Sequence, residues 1–217
     1  MNSTVPTPSL KRRVSFSLLM LYGLGTILGA GIYVLIGKVA GVAGMYAPIA
    51  FLVASVLAGL SSYSFAKLSQ RYPRASGEAF YVRQAFSLSW LAPLVGWMVV
   101  ATGVISSATI ARGFTGYLSV YVDWPEIIVM TVLLSALVLL ACWGVAESVS
   151  VAALITIIEL LGLIFVIWMA RSYLSDLPMR WPELLPPFEG VIWLSIMLGG
   201  FLAFYAFIGF EDMVNMA

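Results

Sequence analysis

Apolar residues in this chain run in long blocks, and polar or charged residues collect between the blocks. Six such blocks fall at approximately 15–37, 44–66, 92–118, 126–146, 150–170 and 190–213. Each approaches the roughly 20 residues a helix needs to cross a hydrocarbon core about 30 Å thick. The pattern therefore predicts an all-α polytopic membrane protein. The first block has no charge between Arg13 and Lys38.

The connectors give the chain an orientation. Residues 1–14 read as an N-terminal tail, with Pro6, Pro8 and small polar residues before Lys11, Arg12 and Arg13. The apolar run that follows is too long for the core of a secretory signal, and further spans come after it, so it is a first spanning helix. Placing the tail in the cytoplasm puts Lys11, Arg12, Arg13, Lys67, Arg71, Arg74 and Arg83 on that side and Lys38, Arg171 and Arg180 on the other. That asymmetry obeys the positive-inside rule and predicts a cell-membrane protein with a cytoplasmic N-terminus. Tyr72–Tyr81, broken by Pro73 and Gly77, predicts a short amphipathic helix on the cytoplasmic surface, starting near Ser76. Asp123–Glu126 reads as an external turn, Gly144–Ser148 as a cytoplasmic hairpin, and 171–189, with four prolines, as an external loop.

Candidate chemistry lies inside the blocks. Gly23, Gly25, Gly29 and Gly31 crowd the first span, and each interior glycine weakens a helix by roughly 1 kcal/mol relative to alanine. Two readings stay open: a helix opened near Gly29–Gly31 whose peptide groups face a midplane site, or small-residue packing against another helix. Arg112, in the third span, either snorkels to the headgroups or faces a pathway. Glu159 falls near the middle of the fifth span, where an ionised carboxylate against lipid costs several kcal/mol. It is either a protonated, hydrogen-bonded structural acid or a coupling residue. In the sixth span, Phe207-Ile208-Gly209-Phe210-Glu211-Asp212 sets two acids just after a helix-weakening residue, which marks a second interruption or an ordinary helix end in water.

Composition narrows the function classes. Of the 217 residues, 62% are hydrophobic and 10% charged, against the roughly 25% charged typical of soluble domains; mean hydropathy is +1.03. Eleven basic and ten acidic side chains provide no field for nucleic acid. The absence of histidine and the single Cys142 argue against a metal centre, and no cofactor is expected. Gly23-x-Gly25 lacks the strand, soluble helix and downstream acid of a dinucleotide site. No grouping of nucleophile, base and oxyanion donors points to an enzyme.

Four ordered stretches resemble the amino acid/polyamine/organocation (APC) transporter superfamily: Gly25-Thr26-Ile27-Leu28-Gly29-Ala30-Gly31-Ile32-Tyr33, Tyr72–Tyr81, Gly144–Ser148, and Phe204-Tyr205-Ala206-Phe207-Ile208-Gly209-Phe210-Glu211. The resemblance implies a fold of two inverted five-helix repeats with helices one and six interrupted. On that pattern 15–170 is the first repeat, 171–189 an extracellular loop and 190–217 the sixth helix, which begins a second repeat. The chain then resembles the N-terminal half of a secondary transporter for amino acids or related amines, proton-coupled or exchanging. Its partners would be the substrate, the bilayer, and either a C-terminal half or a second copy. A non-transporting membrane subunit that binds partner helices is the alternative. The resemblance also implies that N–H groups around Gly29, Ala30 and Gly31 hold a substrate carboxylate. Carbonyls near Ile27, Phe207 and Ile208 would accept from its ammonium, with Phe207 and Phe210 flanking and gating the pocket. Where several proton-coupled relatives carry a fifth-helix lysine, this chain has Glu159, which implies a protonatable coupling group or a preference for cationic amino acids.

Overall fold

The computed structural model describes residues 14–72, 77–174 and 176–216, with the side chains of Ala30, Asn215 and Met216 excepted. The predicted tail (through Arg13), Pro73–Ser76 of the amphipathic loop, Ser175 and Ala217 lie outside the described residues. Helices account for nearly all of the rest.

Helix α1, Phe16–Ala43, starts at Ser15, whose hydroxyl caps it by accepting from the Leu18 N–H at 3.3 Å. Apolar character carries α1 past the predicted end at 37, so Lys38 sits on the helix. Gly44 ends it at φ 56°, a left-handed conformation that only glycine adopts cheaply. A 3-10 turn, Gly44–Tyr46, then leads into α2, Ala47–Arg71, with Pro48 in its first turn, where its missing N–H costs nothing. Helix α3 (Gly77–Ala85) is the predicted short amphipathic element, although Ser76, its expected start, is outside the described residues. The spans α4 (Leu91–Leu118), α5 (Glu126–Trp143) and α6 (Val145–Met169) follow. A single non-helical residue, Gly144, joins α5 to α6, so the predicted turn 144–148 narrows to its first residue. Ser148 stabilises this corner by donating to the carbonyls of Leu140 and Gly144 at 3.0 and 2.8 Å. The stretch 171–189 contains α7 (Arg171–Leu174), α8 (Leu177–Arg180) and a 3-10 turn, Trp181–Leu184. The sixth block divides into α9, Gly190–Tyr205, and α10, Phe210–Met216.

Among the described residues five stretches have the length and apolarity to cross a membrane, and the first, 16–71, holds both α1 and α2. All six predicted blocks are thus present in an all-α polytopic architecture.

The core sits where α1, α2 and α9 meet. Val39, Ala43, Ala47, Ala50, Ala54, Ile196 and Ala203 form one buried cluster in which most members are alanine. Lipid tails are as apolar as these side chains, so no hydrophobic gain drives the contact; close approach and dispersion do. Gly199 lies at a tight point of the cluster, since a Cβ there would stand 2.9 Å from the Ala43 Cβ and 3.3 Å from that of Ala50. Large apolar side chains point outward instead, as Leu52, Val104, Ile158 and Phe201 do. An aromatic group ties α2, α3 and α10 together: Phe65 packs edge-on against Tyr81 and Phe210 at 6.4 and 5.6 Å between ring centroids. Tyr81 is buried, and its hydroxyl finds no hydrogen-bond partner among the described residues. Burial first and Glu78 second push the phenol above its ordinary pKa, so it stays neutral.

A Gly199→Val substitution is expected to destabilise the protein by about 1–3 kcal/mol through overpacking. Leu52→Ala, on an exposed face, should stay within about 0.5 kcal/mol. Thermal unfolding of the two variants in detergent, beside the parent, checks the contrast.

Candidate functional site

The middle of α1 is gripped on two sides. On one side Gly25 lies against Thr156 of α6, and Gly29 faces Glu159, whose Oε1 is 3.3 Å from where a Gly29 Cβ would be. On the other, Gly31 abuts the end of α9: a Cβ there would fall 2.6 Å from the Ala206 carbonyl oxygen and 2.7 Å from its Cα. Tyr33 fastens the upper end of this face. Its hydroxyl donates to the Glu159 carbonyl at 3.0 Å, and its own carbonyl accepts from the Tyr117 hydroxyl of α4.

The sixth block is interrupted at 206–209. The amides of Ala206, Phe207 and Ile208 fold back in three tight turns onto the carbonyls of Ala203, Phe204 and Tyr205, at 2.9, 3.0 and 3.3 Å. The carbonyls of Ala206, Phe207 and Ile208 then accept from no backbone amide among the described residues. Gly209, at φ 136°, turns the chain into α10, and Thr26 leaves no room there for a side chain, with contacts of 3.0 Å to a Gly209 Cβ. Two side chains compensate the break. The Thr26 hydroxyl donates to the carbonyls of Gly23 and Gly209 at 3.0 and 3.3 Å, and Glu211 Oε2 accepts from the Gly209 N–H at 2.8 Å. Glu211 is therefore a cap on α10, rather than an acid at a plain helix end.

Three predicted elements thus come together: the glycine face of α1, Glu159, and the broken sixth helix. The predicted opening of α1 does not. Ile27, Gly29, Ala30 and Gly31 lie within one uninterrupted helix, so their amides stand in an intact helical run. The physical reason is a difference in magnitude. Each glycine costs a helix roughly 1 kcal/mol, whereas an unsatisfied peptide group in hydrocarbon costs several. Gly23, Gly25, Gly29 and Gly31 instead serve close packing. Phe207 and Phe210 each pack edge-on against α2, on Phe51 at 6.5 Å and Phe65 at 5.6 Å between ring centroids. Ile27 and Ile208 are half-buried.

The Glu159 carboxyl makes no hydrogen bond or ion pair with the described residues, and it is half-buried against α1. Arg112 lies elsewhere. It pairs with Glu126 at the start of α5, 3.3 Å apart and largely exposed, on a cavity it shares with Trp124. That position fits an arginine reaching the interface. No group of three histidine, cysteine or acidic residues able to hold a metal ion occurs among the described residues. Sequence reasoning missed Thr26, Tyr33, Tyr117 and Thr156 as site-building residues. Thr26, a hydroxyl inside a glycine-rich apolar run, was the one visible signal.

Stacked apolar spans around a broken helix define a polytopic, all-α membrane protein. The family model for amino acid permeases matches residues 15–217. The chain belongs to the amino acid permease family, within the APC superfamily. It is 30% identical to the mitochondrial cationic amino acid transporter 3 of Arabidopsis thaliana, over 96% of this chain and 37% of that protein. The vacuolar cationic amino acid transporter 2 of the same plant is 29% identical, over 96% and 36%. The branched-chain amino acid permease BcaP of Bacillus subtilis (strain 168) is 26% identical, over 96% and 48%. The chain thus spans between about a third and a half of the length of these relatives. No solved structure matches it.

Two glycines of α1 separate packing from helix propensity. Gly37 has open space around its Cβ position, so Gly37→Ala should stabilise α1 by up to about 1 kcal/mol. Gly31→Ala must displace the Ala206 backbone and should instead destabilise by about 1–3 kcal/mol. Thermal unfolding in detergent reads both signs.

Proposed function

We propose that the full-length protein is a secondary active transporter of amino acids or related amines, coupled to protons or working by exchange. The observation that carries this reading is the break at 206–209. There the Phe207 and Ile208 carbonyls, unclaimed by backbone amides, lie on the helix that packs against the glycine face of α1, and Glu159 borders that face from the other side. Carbonyls at a broken helix form an acceptor site for an ammonium group. In this reading Phe207 and Ile208, with the Ile27 carbonyl, take the substrate ammonium. Phe207 and Phe210 close over the side chain, using the edge-on packing on α2 as the closed position. The carboxylate is held by the amides of Gly29, Ala30 and Gly31 once α1 opens there, so the donor half of the site forms only on a conformational change of α1.

Glu159 is the proposed coupling and selectivity group. With no hydrogen bond or ion pair of its own to the described residues, its carboxyl is available either to a proton or to a cationic side chain of the substrate. Two of the relatives above are named for cationic amino acids and one for branched-chain amino acids. The half-buried acid favours the cationic class. The charge asymmetry of the connectors supports a cytoplasmic N-terminus in the cell membrane, and a C-terminal half or a second copy would complete the helices around the site. The permease family argues for transport over enzymatic chemistry.

Uptake by the full-length protein in proteoliposomes, followed across pH, tests the reading. Glu159→Gln is expected to lower uptake of a cationic amino acid about tenfold relative to a neutral one, the effect of roughly 1.4 kcal/mol of lost charge interaction. It should also flatten the pH dependence. Unchanged rate, coupling and preference in the variant would overturn the role of Glu159. Absence of any amino acid uptake by the parent would favour the non-transporting subunit instead.

A further inference from the structure

Between α3 and α4 lies a groove of about 790 Å³ that takes no part in the site above. Its floor is the non-helical linker Phe86–Trp90, and its walls are the last turn of α3 and the first turns of α4. Arg83 stands on one wall. The ion pairs among the described residues join Arg112 to Glu126 and Arg180 to Glu183, and the cation–ring contacts use Lys67, Arg71 and Arg171. Arg83 belongs to none of these, and no carboxylate among the described residues lines the groove.

The hydroxyls of Ser87 and Ser89 line it as well. Ser61, Ser64 and Ser107 each donate to a carbonyl of their own helix, but Ser87 and Ser89 sit in the linker, where their hydroxyls make no hydrogen bond among the described residues. Phe86 and Leu88 of the same linker are 54% and 50% exposed, and the neighbouring Trp90 is 60% exposed, so the segment presents apolar surface where the chain enters the membrane. Tryptophan at that depth is typical of the headgroup boundary.

We propose that this groove binds one anionic phospholipid, with its phosphate on Arg83 and the serine hydroxyls and the upper part of an acyl chain along Phe86, Leu88 and the face of α4 at Gly96. The chemistry selects this occupant. A lone exposed guanidinium holds a free inorganic anion weakly, whereas apolar walls add the burial of several methylenes at about 0.8 kcal/mol each. A choline headgroup finds no carboxylate in the groove to offset its charge. The site shares no residue with the α1–Glu159 region, so it stands or falls independently of transport.

Native mass spectrometry of the purified full-length protein, offered phosphatidylglycerol or phosphatidylcholine with matched acyl chains, tests the assignment. The parent is expected to retain one phosphatidylglycerol roughly fivefold more than phosphatidylcholine, the effect expected for one basic side chain at a lipid surface. Arg83→Gln should bring the ratio close to one, Arg83→Lys should keep most of it, and Lys67→Gln should leave it unchanged. Equal retention by the parent, an undiminished ratio in Arg83→Gln, or loss in Arg83→Lys as well would overturn the proposal. So would displacement of the lipid by millimolar inorganic phosphate, which would show that the acyl slot adds nothing.

Discussion

In hydrocarbon a peptide N–H or C=O that loses its helical partner must find another inside the protein, and this requirement decides where a spanning helix can break. The two glycine-rich spans here show its effect. The break at 206–209 is compensated at Gly209, where Thr26 donates to the carbonyl and Glu211 accepts from the amide, while the carbonyls of Ala206, Phe207 and Ile208 accept from no backbone amide among the described residues. Around Gly29–Gly31 the neighbours offered to the backbone are Glu159 and the end of α9, both in packing contact, and the helix persists. Glycine makes a break inexpensive; a nearby donor or acceptor makes it stable.

The same economy shapes the bundle. Small residues bring α1, α2 and α9 together, and the large apolar side chains are left to face outward, the reverse of a soluble core. A contact surface built from alanine and glycine has little bulk with which to fill gaps. Backbones therefore approach closely, and polar groups on one helix can reach carbonyls on the next, as Tyr33 and Thr26 do.

Much of the fold was legible in the sequence because block length is a direct signal of membrane crossing. All six blocks became helices, the sixth divided into two, with shifts only where apolar residues continue past a polar one, as at Lys38, or where one glycine suffices for a corner, as at Gly144. The interruption of the sixth span was legible from Gly209 and the acids after it. The first span misled because glycine density reports the cost of breaking a helix and says nothing of the compensation. Thr26, Tyr33 and Tyr117 were hidden for a related reason: their acceptors lie 183, 126 and 84 residues away in the chain. No local pattern records such partners.

The shared hydroxyl of Thr26 also governs how the two halves of the junction come apart. Because its proton already has an acceptor one turn back on its own helix, at Gly23, withdrawing α10 strands no donor on α1. Separation leaves the Gly209 oxygen with the Asp212 N–H, while Glu211 travels with α10 and keeps the Gly209 amide covered. Parting the seam between α1 and the broken helix therefore costs one shared hydrogen bond, together with the packing of Gly23 on Met213 and of Gly31 on Ala206.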